Sequence, residues 1–398
     1  MTADRSTGAT HAHPSADPEI VDTVIIGGGQ CGLAVGYYLA KQGQTFVILD
    51  EHQRVGDCWR QRYDSLRLYS PARYDTLPGM SFPAPGHSFP SGAQMADYLE
   101  TYVAEMHLPV RNGVSVSRVR QSPTGGFIVT TNNANYQASH VVVATGGQHL
   151  PHVPDFAGGI DPDVRQFHSS DYRNPAQLQD GGVLVVGASH SGADLALESA
   201  ATHPTWLVGR DTGQIPFNIE GRPARAIFPV LWFAWSHVLT LNTPIGRKMQ
   251  DEVRSQGGPL LRYRKKDLDA ADVKRVEARV SGAKNGKPML DDGRVLDVAN
   301  IIWCTGFRRD FSWIELPILD EAAWPKQQRG VVADVPGLYF VGLVFQQSFS
   351  SMLVGGAGRD ARHVAKHIAS TRSTELQEVG SGRHDESTHS GTRQGAVS

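Results

Sequence analysis

Three glycines near the N-terminus have the spacing that a dinucleotide-binding turn requires. Gly27, Gly29 and Gly32 form a G-x-G-x-x-G pattern directly after an apolar run at positions 24–26. The first glycine permits a tight turn, the second lets the backbone approach a pyrophosphate, and the third lets the next helix pack against the strand. The N-terminus of that helix would then point its free N–H groups at the phosphates.

An acidic residue completes this first unit. A helix is predicted at about 31–41 and a second buried strand at 45–49, which ends at Asp50. Asp50 lies 18 residues beyond Gly32, about where a carboxylate accepts a hydrogen bond from a ribose hydroxyl. Strand, glycine turn, helix, second strand and terminal acid together predict a β-α-β unit that binds a dinucleotide.

A second unit of the same kind follows a predicted strand at 182–186. In its turn, GASHSG, the three positions are taken by Gly187, Ser189 and Gly192. Ser189 restricts how closely the backbone can approach a phosphate but adds a hydroxyl donor. Arg210 follows the next strand and lies 18 residues beyond Gly192, the same spacing as that of Asp50 in the first unit. An arginine at this place favours a 2'-phosphate and hence NADP over NAD. The alternative is that Arg210 is an ordinary surface arginine.

Other residues are placed where they could line the first cofactor. Gly146 and Gly306 end the strand-like runs ATG and CTG, and Gly342 ends the run GLYFVG. In the loop after the first acidic residue, Trp59 and Arg60 are predicted to pass over the cofactor. The guanidinium would offer a planar fork to phosphate or ring oxygens. The alternative is that both residues pack this loop to the surface.

Composition narrows the class of protein. The 398 residues carry a net charge of −2 with no block of like charges, which argues against nucleic acid or an anionic membrane as partner. No secretory signal is visible at the start, so a cytoplasmic protein is expected. The three cysteines form no C-x-x-C pair, so no disulfide framework or dithiol centre is predicted, and no metal site is predicted either.

The order of the units predicts an α/β fold of two Rossmann-like domains, the second inserted in the first. The expected first cofactor domain is 21–155 with 290–370, and the second is 156–289 with an apolar insert at 211–267. Residues 1–20 and 371–398 are expected to be a disordered lead-in and tail. The apolar stretch 226–241 is too short and too interrupted to span a membrane. It is either a buried helix or, through aromatic residues such as Trp232 and Phe233, a substrate-cavity wall or shallow membrane contact.

The motifs occur in the order seen in flavin-containing monooxygenases, the class B flavoprotein monooxygenases. The resemblance rests on the first glycine turn with Asp50, the G-x-x-W of positions 56–59, the two strand ends, HSSDY at 168–172, GASHSG with Arg210, and GLYFVG. It covers about 21–369 and is similar above all to the bacterial and plant branch that includes indole-3-pyruvate monooxygenases. It implies a glutathione-reductase-like arrangement with FAD at the first site and NADPH at the second.

Two departures from the family pattern bear on the substrate. The family fingerprint before His168 has Pro162 and Val164 in its Phe and Gly places, while Tyr172 makes Baeyer-Villiger monooxygenases the poorer match. The T-N-x-P segment of many amine- and sulfide-oxygenating members is replaced by the residues LYSP at 68–71. The asparagine that lies near the flavin in those members therefore has no counterpart.

The resemblance implies that NADPH reduces FAD, that reduced flavin adds O2 at C4a as a hydroperoxide, and that one oxygen atom enters a small organic substrate. A 2-oxo acid, an amine, a sulfide or a carbonyl compound would suit this chemistry. Tyr69, Ser70, Gln346 and Gln347 are expected near the isoalloxazine, with a role in loop structure as the alternative.

Two other functions stay open at this point, and one is disfavoured. An NADPH oxidase or flavin reductase would release hydrogen peroxide, and a non-catalytic redox sensor would keep the nucleotide folds without turnover. A flavin disulfide reductase needs a reactive cysteine pair, which the sequence lacks. Formation of a homodimer is left open.

Overall fold

The computed structural model describes residues 17–255 and 257–385. In chain order the strands are β1 (Glu19–Ile26), β2 (Phe46–Leu49), β3 (Val110–Arg111), β4 (Val116–Gln121), β5 (Phe127–Thr131), β6 (Asn135–Val143), β7 (Leu150–Pro151), β8 (Arg165–His168), β9 (Val183–Val186), β10 (Thr205–Val208), β11 (Lys274–Val276), β12 (Val280–Lys284), β13 (Lys287–Leu290), β14 (Asn300–Trp303), β15 (Phe307–Arg308) and β16 (Leu338–Phe340). The α-helices are α1 (Gln30–Lys41), α2 (Asp57–Arg60), α3 (Gly92–Glu105), α4 (His190–Ala200), α5 (Arg222–Phe233), α6 (Pro244–Ser255), α7 (Lys265–Ala270) and α8 (Ala357–Asp385).

The first sheet has a parallel part and an antiparallel extension. Its order is β3-β2-β1-β6-β5-β4, and β16 pairs with the C-terminal half of β6. The strands β3, β2, β1, β6 and β16 run parallel, so their carboxyl ends meet at one edge. The β4-β5-β6 part is an antiparallel meander. Its last strand, β6, is nine residues long and continues into the parallel part, where it pairs with β1 and β16.

The second sheet is fully parallel, in the order β11-β10-β9-β14-β8. All four residues of β9 and of β14 are buried, as expected for central strands of a sheet covered on both faces. It is built from residues between β6 and β16, so the second unit is an insertion in the first. The predicted fold class, α/β with two Rossmann-like units, is therefore confirmed.

One predicted domain boundary differs from the strand pairing. The sequence predicts a return to the first domain at residue 290, but β14 pairs with β8 and β9 in the second sheet. The return begins near Phe311, which packs with Ile314 in the core of the first sheet. The apolar run of β14 misleads because a strand buried on both faces looks the same in either parallel sheet.

Both predicted disordered ends are longer than the structure allows. β1 begins at Glu19, within the expected lead-in, and residues 1–16 lie outside the described residues. At the other end α8 continues to Asp385, so a disordered tail from residue 371 is wrong up to that point, and 386–398 lie outside the described residues. The buried Val364 and Ile368 anchor the first turns of α8, and extending an existing helix is far easier than starting one.

Helices cover the sheets where the sequence periodicity places them. α3 begins at a capping box in which the Ser91 hydroxyl accepts from the Gln94 N–H, and its apolar face buries Met95, Tyr98 and Leu99. The predicted apolar insert becomes α5, a π-helical turn at Ala234–Val238, and α6. Among the described helices, none has the length and apolar character needed to cross a bilayer.

Candidate functional site

The first glycine turn has the shape that a pyrophosphate cradle needs. Gly27 has a φ of +108°, and a Cβ there would come within 2.6 Å of the Ala144 carbonyl oxygen. A Cβ on Gly32 would come within 1.9 Å of the Gly27 carbonyl oxygen. A Cβ on Gly29 would meet nothing within 4 Å, so the space above this residue is open. The turn is closed on its protein side and open on the side where a ligand approaches the N-terminus of α1.

Asp50 is tied to the same turn. One carboxylate oxygen accepts from the Gly28 N–H at 2.5 Å, and the other accepts from the backbone N–H of His52 at 2.9 Å and contacts its ring Nδ1 at 2.8 Å. Burial acts to raise the pKa of Asp50, but the hydrogen bonds from His52 and Gly28 outweigh it and the pKa is lowered. The carboxylate is therefore ionised at neutral pH beside the turn. His52 was not predicted, because a histidine two residues after an acid carries no pattern of its own.

The rim of this cradle holds two of the predicted glycines. Gly146 has a φ of +76° and faces open space, whereas a Cβ on Gly342, with a φ of +89°, would come within 2.7 Å of Cys31 Sγ. Both follow parallel strands whose carboxyl ends meet at the glycine turn, β6 and β16. They line the edge of the sheet at which ligands bind in open α/β folds.

Arg60 departs from the prediction, and Trp59 packs inward beside it. The Arg60 guanidinium donates to the Val55 carbonyl at 2.7 Å, to Asp97 at 3.0 Å and to Glu100 at 2.9 Å. Its fork is thus directed at carboxylates of α3 instead of a phosphate. Trp59 is half-buried and packs against the core formed with α3, so the alternative of loop packing describes both residues.

The second glycine turn repeats the steric pattern of the first. A Cβ on Gly187, with a φ of +109°, would come within 2.3 Å of the Cys304 carbonyl oxygen, and one on Gly192 within 1.7 Å of the Gly187 carbonyl oxygen. Gly306 was predicted at the first cofactor, but it follows β14 of the second sheet, where it has a φ of +81° and faces open space. The closed protein side of a nucleotide cradle is therefore present twice in the chain.

The predicted donor in this second turn is already used within the protein. The Ser189 hydroxyl donates to the Gly258 carbonyl oxygen at 2.9 Å, and a Cβ on Gly257 would come within 2.8 Å of Ser189 Cβ. The segment 257–259 therefore lies against the turn. The expectation that Ser189 offers its hydroxyl to a phosphate is not supported by this hydrogen bond.

Arg210 lies where a 2'-phosphate could meet it. It is exposed, and it follows Gly209 at the end of β10, next to the turn residue Ala188. Within the described part of the chain no carboxylate forms an ion pair with it. Its predicted role stays a prediction, with its charge available to an anion.

A buried polar cluster joins the two units at the predicted catalytic Tyr69. Asp194, on α4 and only 9% exposed, accepts from the Tyr69 hydroxyl at 2.7 Å and from the Tyr63 hydroxyl at 3.0 Å. The Arg262 guanidinium lies 4.9 Å from the Tyr69 ring centre and 3.8 Å from Asp194, and the His190 ring packs 5.0 Å from the same tyrosine. Burial and the nearby Tyr63 and Asp194 raise the pKa of Tyr69, so the phenol stays protonated and donates to Asp194.

This cluster changes the role expected of Tyr69. The hydroxyl is committed to Asp194 of the second unit, so Tyr69 connects the two units. Asp194 and Arg262 were missed, since they come from separate segments that only the folded chain brings together.

Ser70 leads to a second buried carboxyl group. Its hydroxyl donates to Asp75 at 2.5 Å, and Asp75 is fully buried. Among the described residues, neither the other Asp75 oxygen nor the Tyr74 hydroxyl finds a hydrogen-bond partner. Burial raises the pKa of Asp75 to about 7, although the Ser70 hydrogen bond opposes the shift. A carboxyl group that exchanges a proton near neutral pH therefore lies beside a predicted catalytic serine.

The two predicted glutamines serve the local structure in different ways. Gln346 is fully buried, donates to the Phe340 carbonyl at 2.7 Å and accepts from the Leu343 N–H at 3.2 Å. These bonds fix the turn after β16, so the loop-structure alternative describes Gln346. Gln347 is held through its backbone, which accepts from the Leu241 N–H at 3.0 Å.

Known proteins share this architecture. Residues 24–215 match the family described as pyridine nucleotide-disulphide oxidoreductase. An uncharacterized CzcO-like oxidoreductase of Geobacillus kaustophilus is 39% identical, over 88% of this chain and 98% of its own length. The probable indole-3-pyruvate monooxygenase YUCCA3 of Arabidopsis thaliana is 28% identical, over 87% of this chain and 86% of its own length. The solved flavin-containing monooxygenase from Stenotrophomonas maltophilia has a TM-score of 0.69 at 25% identity, covering 89% of this chain and 99% of that one.

The chain belongs to the flavin monooxygenase family. This confirms the family resemblance drawn from the motifs. Cys31, Cys58 and Cys304 are all free thiols. Burial raises the pKa of Cys31 and of Cys58 to about 12 and that of Cys304 further, so none is a thiolate at neutral pH. Among the described residues no group of His, Cys, Asp or Glu is arranged to hold a metal ion.

The buried Asp75 predicts a pH-dependent stability. The folded chain holds the Asp75 proton more tightly than the unfolded chain, so the free energy of unfolding falls as the pH rises from about 4 to the folded pKa of about 7. Asp75→Asn removes this penalty. Its gain in unfolding free energy over the parent protein should be about 2 kcal/mol larger at pH 8 than at pH 5. Urea unfolding at a series of pH values measures it.

The exposed Asp334→Asn is the matched control and should show no such pH dependence. Equal pH dependence of Asp75→Asn and the parent protein would contradict the assignment of a buried, late-titrating carboxyl to Asp75.

Proposed function

We propose that this chain is an NADPH- and O2-dependent FAD monooxygenase that transfers one oxygen atom to a small organic substrate. The observation that carries the proposal is the presence of two glycine cradles in one chain, each closed on its protein side. The family membership supports it, as does the polar cluster that joins the two units beside Tyr69. Two nucleotide sites in contact are what hydride transfer between two cofactors requires.

The residues that fit FAD are those of the first cradle. Gly27 and Gly32 shape the turn, Gly29 leaves room for the pyrophosphate, and Asp50 is the ionised acceptor for a ribose hydroxyl. Gly146 and Gly342 line the rim. When bound, FAD supplies the transfer of electrons from NADPH to O2.

The residues that fit NADPH are those of the second cradle. Gly187 and Gly192 shape its turn, Gly306 leaves open space at the end of β14, and Arg210 offers a charge to the 2'-phosphate. The Ser189 hydroxyl takes no part in this proposal, because it is held by Gly258.

The protein's own contribution is to exclude water and to hold protons. The buried Asp194 and Arg262 and the half-buried Tyr69 form a contact between the two units, which would restrict water at the place where they meet. The Ser70–Asp75 pair holds a proton that can be exchanged near neutral pH. Such a carboxyl can protonate a substrate oxygen as the oxygen atom is transferred.

The proposed substrate class is a small aromatic compound. Beside Asp75, the Tyr74 ring packs 5.2 Å from Phe228 and 4.9 Å from Trp232, which supplies an aromatic wall next to the Ser70–Asp75 pair. The plant relative is named as a probable indole-3-pyruvate monooxygenase, so an aromatic 2-oxo acid is the first class to test. Amines, sulfides and other carbonyl compounds remain the classes to test after it.

A second candidate is an NADPH oxidase that releases hydrogen peroxide. The observation in its favour is the Asp75 carboxyl group, because a proton source of this kind beside a bound flavin would promote release of peroxide. A third candidate, a non-catalytic redox sensor, is favoured by the contact of segment 257–259 with the second turn. Turnover separates the three candidates.

The proposal is tested by the stoichiometry of NADPH use with indole-3-pyruvate and related 2-oxo acids. We expect a substrate of the right class to accelerate NADPH oxidation and to yield one oxygenated product for each NADPH. If all electrons appear as hydrogen peroxide with every substrate class, the oxidase candidate replaces the proposal. If NADPH is not oxidised at all, the redox-sensor candidate replaces the proposal.

Cofactor choice gives a further prediction at Arg210. Arg210→Ala should raise the Michaelis constant for NADPH about tenfold and leave that for NADH unchanged, because one charge-assisted phosphate contact of about 1.5 kcal/mol is lost. The exposed Arg279→Ala, in the same unit, is the matched control and should change neither constant. Steady-state kinetics with both nucleotides measure this. Equal effects of Arg210→Ala on NADPH and NADH would remove the 2'-phosphate assignment.

A further inference from the structure

Exposed apolar side chains are concentrated in one part of the chain. Eight large apolar residues are exposed among the described residues, and three of them, Ile20, Leu150 and Val295, lie singly on other elements. The other five lie between residues 227 and 245. They form what we call the α5 patch: Ile227 (37% exposed), Val230 (69%), Phe233 (58%), Val238 (41%) and Ile245 (61%). Scattered apolar residues are normal on a protein surface, whereas a cluster of this kind marks an interaction site.

The patch follows the helical periodicity of α5. Ala224 and Phe228 lie on the buried face of this helix, and Val230 and Phe233, three residues apart, lie on the opposite face. The Phe233 ring stacks on His237 at 4.7 Å, which carries the exposed face into the π-helical turn. The outward face of α5 is therefore apolar along its second half, and these side chains stay exposed among the residues that the structure describes.

The charged residues within the segment 221–250 are all basic, although acidic residues at 220, 251 and 252 border it. Between residues 221 and 250 the sequence contains Arg222, Arg225, Arg247 and Lys248 and no aspartate or glutamate. All four basic residues are exposed. The chain as a whole has a net charge of −2, so this segment is positively charged in a chain that is slightly negative overall. An apolar strip with basic flanks is complementary to a surface that is apolar inside and anionic outside.

We propose that the α5 patch docks this protein on an anionic phospholipid surface. Val230 and Phe233 would enter the boundary between headgroups and acyl chains, while the four basic side chains would meet lipid phosphates. The helix would lie in the plane of the surface without crossing it. The argument from net charge against an anionic membrane is thereby revised, since an average over the whole chain does not report a local segregation of charge.

The docked helix would also connect the lipid to the proposed site. On the inner side of α5, Phe228 and Trp232 pack on Tyr74, which adjoins the Ser70–Asp75 pair. An apolar substrate dissolved in the lipid would then reach the aromatic wall without passing through bulk water. This last consequence rests on the proposed function, whereas the docking itself does not.

The test is flotation of the purified full-length flavoprotein with vesicles of phosphatidylcholine, alone or mixed with phosphatidylglycerol. We expect binding to the mixed vesicles only, weakened by salt. Val230→Ser with Phe233→Ser should abolish it. Arg222→Gln with Arg225→Gln should weaken it about 30-fold, since each basic side chain near an anionic surface contributes about fivefold. Ile20→Ser with Val295→Ser removes as many exposed apolar side chains elsewhere and should leave binding unchanged.

Three outcomes would overturn the proposal. The parent protein could stay unbound with both kinds of vesicle, or the patch and control variants could lose binding equally. In the third outcome sedimentation shows a dimer that only the patch variant dissociates, which would assign the patch to a second copy of the chain. Flavin content and melting temperature, measured on every variant, separate loss of docking from loss of fold. Because flotation needs no turnover, failure of the proposed monooxygenase activity would leave this result intact.

Discussion

Close packing of a glycine against the carbonyl of the turn before it is the constraint on which this structure depends. In each unit the last glycine of the turn lies so near the first that a single added carbon would meet its carbonyl oxygen, at 1.9 Å for Gly32 and 1.7 Å for Gly192. This contact lets α1 and α4 start directly above the strands that precede them. The helix N-termini then point at the edge where the parallel strands end, and both nucleotide cradles follow from that placement.

Hydride transfer between the two cradles requires that the two units keep a fixed position relative to each other. A buried carboxylate, Asp194, receives the hydroxyls of Tyr63 and Tyr69 from the first unit, and Arg262 lies over the Tyr69 ring. Burial raises the pKa of Asp194, although these partners oppose the shift. The same loop continues to Ser70 and Asp75, which links the contact between the units to the proposed proton source.

The cradles were predictable because their constraints are local: a glycine spacing, an apolar strand and a terminal acid lie within one short stretch of chain. What depended on distant partners was not. The sequence of β14 is apolar, which fits a central strand of either sheet. Only its pairing with β8 and β9 shows that it belongs to the second sheet. Arg60 was expected at a phosphate, yet it meets Asp97 and Glu100 on α3. Asp75 looks like any loop aspartate until the folded chain buries it.

The central claim is that the protein retains oxygen after reduction by NADPH and delivers it to a substrate. The most direct test is to reduce the purified flavoprotein anaerobically with NADPH, mix it with O2 without substrate, and follow O2 uptake, peroxide release and flavin absorbance together. We predict that O2 is consumed well before hydrogen peroxide appears and before the oxidised flavin spectrum returns. Peroxide released in step with O2 uptake, one for one, would contradict the account and identify an oxidase.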